Sequence, residues 1–193
     1  MVSGNLTVDS TTLVVDASNN RVGIGLDNPS VALHVAGGYF IGQPQVAIIE
    51  DRRGQNVVGG QIGSSTVTRA LNTLTRNDTN FGVTLSNNTF SLPAGTYSVY
   101  ASLVTYMAGR TRINLINNTT GIILITGQSS HANANSLSHI SVLSGIITLA
   151  STTTLRIDQF FNGYSADSQN LGVPVNQSGV NEIYASVQIV RFA

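Results

Sequence analysis

Three histidines, nine arginines and nine carboxylates are the groups in this chain with the chemistry for catalysis or metal binding. His34, His131 and His139 are scattered, so a metal site would need three copies of one histidine gathered on a threefold axis. His139 shares the phase of Leu143, a core position, so no metal and no cofactor is expected. Asp158, Asp167 and Glu182 lie too far apart in sequence to argue a glycosidase pair. The chain has no lysine, which removes a P-loop, a Schiff base and a Ser–Lys dyad, and it has no G-x-S-x-G elbow. "VGIGLDNP" contains Gly23-x-Gly25, but Asn28 stands where a dinucleotide loop needs its third glycine and Pro29 follows, so this is a turn. No enzymatic constellation emerges. Arg52-Arg53 reads as a solvated edge.

The elements that carry these residues are strands. Short β-branched runs separated by Gly, Asn, Pro and Ser dominate, and no amphipathic run at helical spacing exceeds two turns, so the chain reads as all-β. Only 9% of the 193 residues are charged and the formal net charge is zero, which gives no field to attract nucleic acid. The apolar run around Ile122 is far too short to span a membrane as a helix, and no membrane insertion is expected. "MVSGNLTVDS" lacks the basic start and apolar core of a signal peptide. Cysteine is absent, so stability must come from packing, including packing between subunits.

Residues 1–42 form one region, with strands expected at Leu6–Val8, 12–15, Arg21–Ile24 and 31–35. A segment this small buries too little to fold alone. Three copies, each contributing one wall, would form a trimeric β-prism-like stalk with Leu13, Val15, Val22 and Ile24 inside. Residues 43–193 form a second region, long enough for one jelly-roll β-sandwich. Strands are expected at 45–49, 66–75, 82–86, Thr89–Leu92, 96–107, 111–117, 122–126, 137–149, 153–161 and Glu182–Phe192. The Gly-rich "GQNVVGGQIGSS" is a loop or a flat strand against another backbone. Three of the strands are apolar on both faces, whereas an antiparallel sheet usually wets one. The second face needs a partner, simplest as a copy of the same domain, and the expected homotrimer interface is Tyr100, Val104, Tyr106, Ile140, Val142, Tyr184 and Phe192.

"VDASNNRVGIG" followed by "NPSVALHVAG" resembles a repeat of phage tail-fibre and related virion proteins. "IEDRRGQN", "LNTL", "NNTFSLPAGTYSVYAS", "LSGIITLA" and "EIYASVQIVRF" resemble the C1q/TNF-like jelly-roll heads that cap such fibres. Together the two resemblances span nearly the whole chain. They imply a homotrimeric virion appendage on the particle surface, joined to other virion proteins through the N-terminal stalk. Collagen-type repeats, which precede C1q domains in animals, are absent.

Consecutive sandwich strands alternate in direction, so the longer connections, 107–110, 127–136 and 162–181, should share one end, away from the C-terminus. Long loops on a rigid scaffold are where binding usually lives. These carry Arg110, His131, Asn133, Asn135, Tyr164, Asp167 and Gln169, aromatic faces and polar groups suited to a bacterial-surface glycan. The expected function is attachment. The alternatives are a purely structural capsid decoration or head fibre, and a polysaccharide-degrading enzyme, for which the sequence shows no carboxylate pair.

Overall fold

The computed structural model describes residues 4–36, 44–132 and 137–192. The chain divides into two compact units, Met1–Gln43 and Pro44–Ala193.

The N-terminal unit is a four-stranded sheet of β1 (Leu6–Val8), β2 (Leu13–Asp16), β3 (Arg21–Ile24) and β4 (Leu33–Val35), in that order. The first three run antiparallel and β4 joins β3 in parallel. Asp16 shapes the β2–β3 turn: its carboxylate accepts the Ser18 and Asn19 backbone N–H groups and the Asn19 amide. Those hydrogen bonds, the Asn19 amide first, hold its pKa below the ordinary carboxylate value. Asn20 then takes a left-handed φ of 53°, a conformation that Asn tolerates better than most residues. The register gathers the aliphatic side chains on one face. Val8 pairs with Leu13, Leu13 with Ile24, and Ile24 with Val35, while Leu6 pairs with Val15, Val15 with Val22, and Val22 with Leu33. Directly paired residues share a face, so eight aliphatic side chains line one side of the sheet. None of the eight is buried.

The C-terminal unit is a β-sandwich. Sheet I has the order β14-β10-β16-β5-β7, from β5 (Gln45–Arg53), β7 (Thr73–Asn77), β10 (Gly95–Tyr106), β14 (Ser138–Leu149) and β16 (Glu182–Phe192). Sheet II has the order β12-β11-β15-β9-β8, from β8 (Thr84–Ser86), β9 (Thr89–Leu92), β11 (Ala108–Asn117), β12 (Ile123–Thr126) and β15 (Thr153–Tyr164). Two short strands, β6 (Thr66–Thr68) and β13 (Ser130–His131), add to β15 and β11. Period-2 alternation supplies the core: Tyr97, Val99, Ala101 and Leu103 from β10 meet Ile113 and Leu115 from β11, Leu155 and Ile157 from β15, and Val187 and Ile189 from β16. Tyr97 stacks on Phe81 with centroids 6.0 Å apart, and its hydroxyl donates to the Pro93 carbonyl at 2.8 Å.

The expected strand over 66–75 is two strands in different sheets, β6 and β7. Arg69 and Leu71, both fully buried, occupy the crossing. β13 is a strand where a loop is expected. The Gly-rich segment is a loop and forms no strand, yet it runs against another backbone. Gly59 donates to the Gly172 carbonyl and Leu171 donates to that of Gly60. A Cβ at Gly59 would lie 2.5 Å from the Leu171 oxygen.

The open face of sheet I carries an apolar cluster set among small polar residues such as Ser98, Ser102 and Ser144. Tyr100, Ile140 and Phe192 are exposed and Val104, Tyr106 and Val142 half-buried, joined by Ile146 at 67% exposure. Tyr184 does not belong to this face. A register shift between Ile183 and Ala185 inserts one extra residue into β16 opposite β5, which resets the alternation. Ile183 is exposed, whereas Tyr184 is buried. The Gly172 backbone lies on the Tyr184 ring and the hydroxyl donates to the Val57 carbonyl at 2.8 Å. Desolvation by burial, reinforced by Glu182 and Asp51, pushes its pKa up to about 12.

The connections sort by end. Residues 54–65, Met107, 127–132 and 165–181 lie at one end, where Arg53 pairs with Glu182. Gln45, at the start of β5, pairs with Arg191 at the opposite end, beside the last strand's terminus. Glu182 ties the long loops together. Its carboxylate accepts the backbone N–H groups of Asn176 at 2.8 Å, Val175 at 3.1 Å and Asn56 at 3.4 Å.

Candidate functional site

β11 and β15 pair antiparallel with Arg110 opposite Asn162 and Arg112 opposite Phe160. On the other edge of β11, Arg110 pairs with His131 of β13. Because these partners share a face, Arg110, Arg112, His131, Phe160 and Asn162 converge on the outer side of sheet II. Together with Ser129 they line a pocket of about 320 Å³. A second hollow of about 450 Å³ adjoins it, sharing Arg112 and Phe160 and reaching Asn114, Ile123 and Arg156. The Phe160 ring, 43% exposed, stands where the two meet.

The Arg112 guanidinium donates to Ser129 Oγ at 2.7 Å, which fixes its direction. Arg156 is engaged by Asp158 at 2.9 Å and by Asn118 Oδ1. Beneath the pocket runs a buried polar chain. Thr111 Oγ1 lies 2.6 Å from Ser141 Oγ and 3.0 Å from His139 Nε2. Gln159 Nε2 donates to Ser141 and to Thr105, and Gln159 Oε1 accepts from Arg69 at 2.8 Å. Burial, and secondarily the nearby His131, pulls the pKa of His139 down. The Arg69 guanidinium also donates to the carbonyls of Val104, Leu171 and Tyr184. Burial pulls its pKa down to about 10, against the opposing pull of Asp51. This network holds β11 and β15 to sheet I under the site.

Of the expected binding residues, Arg110 and His131 meet in this pocket, on strands rather than in loops. The β10–β11 connection is a single residue, Met107, at a φ of 54°, so Arg110 lies inside β11. Tyr164 sits at the end of β15, edge-on to Phe161 at 6.4 Å, and does not line the pocket. Asp167 and Gln169 stay local: Asp167 Oδ1 accepts the Gln169 N–H at 2.7 Å. Asn133 and Asn135 lie outside the described residues. Sequence reasoning missed Arg112, Ser129, Phe160 and Asn162. Arg110-x-Arg112 in a chain so poor in charge was the available signal, since period 2 puts both on one face. Among the described residues, no three His, Cys, Asp or Glu side chains gather in a metal-binding group.

No protein-family model and no curated protein sequence matches this chain. Solved structures do match. Crystal structures of murine APRIL at pH 5.0, 8.0 and 8.5 align with TM-scores of 0.51, 0.49 and 0.47. Each is 8% identical and covers 77% of this chain and 99% of the APRIL chain. The sandwich is a TNF-like jelly roll. At 8% identity the likeness concerns the fold alone.

Proposed function

We propose that the protein is a homotrimeric virion fibre or appendage protein: the N-terminal unit forms a stalk that joins it to other virion proteins, and the jelly-roll unit is a head that attaches to a bacterial-surface glycan. The observation that carries the trimer is that both units leave apolar side chains uncovered on one sheet face. Eight aliphatic residues line the N-terminal sheet, and Tyr100, Ile140, Ile146 and Phe192 stand out from sheet I. Contiguous apolar faces of this kind mark association surfaces. A copy of the same chain fits both at once, since its own two units bring both faces. The resemblance of "VDASNNRVGIG" and its sequel to virion stalk repeats supports the particle context, and the outer-face pocket supports attachment.

Sedimentation equilibrium of the full chain should give three times the 20.3 kDa chain mass, with an interface above roughly 2,000 Å² per obligate contact. A stable monomer at micromolar concentration would refute the trimer. Labelled antibody against the protein should decorate intact particles, and binding to an array of bacterial glycans tests attachment. A trimer that decorates the particle but binds no glycan would leave a structural appendage only.

A further inference from the structure

We propose that the pocket on the outer face of sheet II takes an acidic saccharide, with its carboxylate or phosphate on Arg110 and Arg112 and the apolar face of its ring on Phe160. This rests on the glycan-attachment reading and narrows it to a charge class and a place.

The distribution of charge argues for it. Arg52, Arg53, Arg76 and Arg156 each bridge a carboxylate within 4.0 Å. Arg69 is buried on carbonyl oxygens, and Arg21 and Arg191, which bridge no carboxylate among the described residues, donate to the Pro29 and Ala94 carbonyls. Arg110 and Arg112 bridge no carboxylate among the described residues, and those residues include all nine acids of the chain. Two guanidinium groups therefore stand on one strand face about 7 Å apart along the backbone, in a chain of zero formal net charge. No Asp or Glu lines that pocket. Arg112 is already oriented by Ser129 Oγ, which lowers the ordering cost of binding. A guanidinium fork matches the planar oxygen pair of a carboxylate or two oxygens of a phosphate.

The remaining lining suits a sugar rather than a bare anion. Phe160 offers an apolar plate, and Asn162, Ser129 and Ser130 offer amide and hydroxyl partners for ring hydroxyls. The adjoining hollow continues past Phe160 toward Asn114 and the Arg156–Asp158 pair, so a second, neutral unit of an oligomer can lie along the same face. The site is on the sheet opposite the apolar face assigned to the trimer, so three copies remain open at once.

The test is binding of the full chain to immobilised oligogalacturonate, glycerol phosphate oligomers and neutral malto-oligosaccharides, beside a broad array of acidic and neutral bacterial glycans. The acidic probes should bind at least tenfold more tightly than the neutral ones and weaken as salt is raised. Oligogalacturonate against glycerol phosphate decides between carboxylate and phosphate. Arg110→Gln and Arg112→Gln should each lose about tenfold on the acidic probes, and Phe160→Ala should lose on them as well. All three variants should keep the wild-type sedimentation and melting temperature. Hits confined to neutral glycans would overturn the acidic site and leave the attachment reading standing. Acidic binding unchanged in both arginine variants would overturn the assignment to this pocket. An array with no hits at all would overturn both.

Discussion

Arg69→Met probes the part of the fold that carries the site. The guanidinium is fully buried and feeds four acceptors: the carbonyls of Val104, Leu171 and Tyr184 and the Gln159 amide oxygen. Methionine fills similar space and donates to none of them. A buried acceptor left unsatisfied costs about 1–3 kcal/mol. Relief follows from no longer burying a cation whose Nε has no partner. Four such acceptors lose their donor, and the relief offsets part of that cost, so about 4 kcal/mol is the expected loss. For a chain of this size that is a fall in melting temperature of about 10 °C. The assay is thermal unfolding by circular dichroism at one fixed protein concentration, because assembly makes the midpoint concentration-dependent. Limited proteolysis should also cut sooner in 165–181, which loses its anchor at Leu171. A midpoint within about 2 °C of wild type, by the same scale, would refute the idea that this arginine joins the two sheets and the long loop.

Glu182 is held below the ordinary carboxyl pKa by backbone N–H donors, Asn176 first. A depressed folded value means stability present above the ordinary value near 4.5 and lost as pH falls through the folded one. Glu182→Gln should therefore flatten the acid side of the melting profile, which thermal scans from pH 3 to 6 would record. His139 is also lowered, by burial and then by His131. The unfolded chain takes up the proton first, so stability should fall as pH drops from above 6.5 toward the lower folded value, and His139→Gln should remove that decline between pH 7.5 and 5.5. Ile140→Asp with Ile146→Asp should shift the sedimenting species from trimer toward monomer while leaving circular dichroism unchanged. A trimer of unaltered midpoint would place the subunit contact elsewhere.

Alternation made much of this legible. β10 and β14 put Val99 and Leu143 inside and Tyr100 and Ile140 outside, as period 2 requires, and the aliphatic row of the N-terminal sheet follows the same rule. The rule failed where the backbone broke it. One extra residue at Ile183–Ala185 carried Tyr184 from the open face to the interior, and a bulge leaves no mark in composition. Arg69 interrupted a strand-like run because its partners are carbonyls distant in sequence. The site was half legible. Arg110 and His131 fall in the expected loops 107–110 and 127–136, yet what joins them to Phe160 and Asn162 is the pairing of β11 with β15, a long-range register that no local pattern encodes.

The placement of the chain's entry and exit has a consequence for how this protein can diversify. Gln45 and Arg191 are paired neighbours at one end of the sandwich, and 54–65 and 165–181 lie at the other. The sandwich therefore begins and ends at one end, and its long connections occupy the other. Loop closure costs only about 0.6 kcal/mol for each doubling of length. Insertions between the points where Glu182 and Arg69 tether 165–181 would therefore alter the tip with little effect on the strands that seat it. The two tethers divide the molecule into a part that can vary in length and a part that cannot.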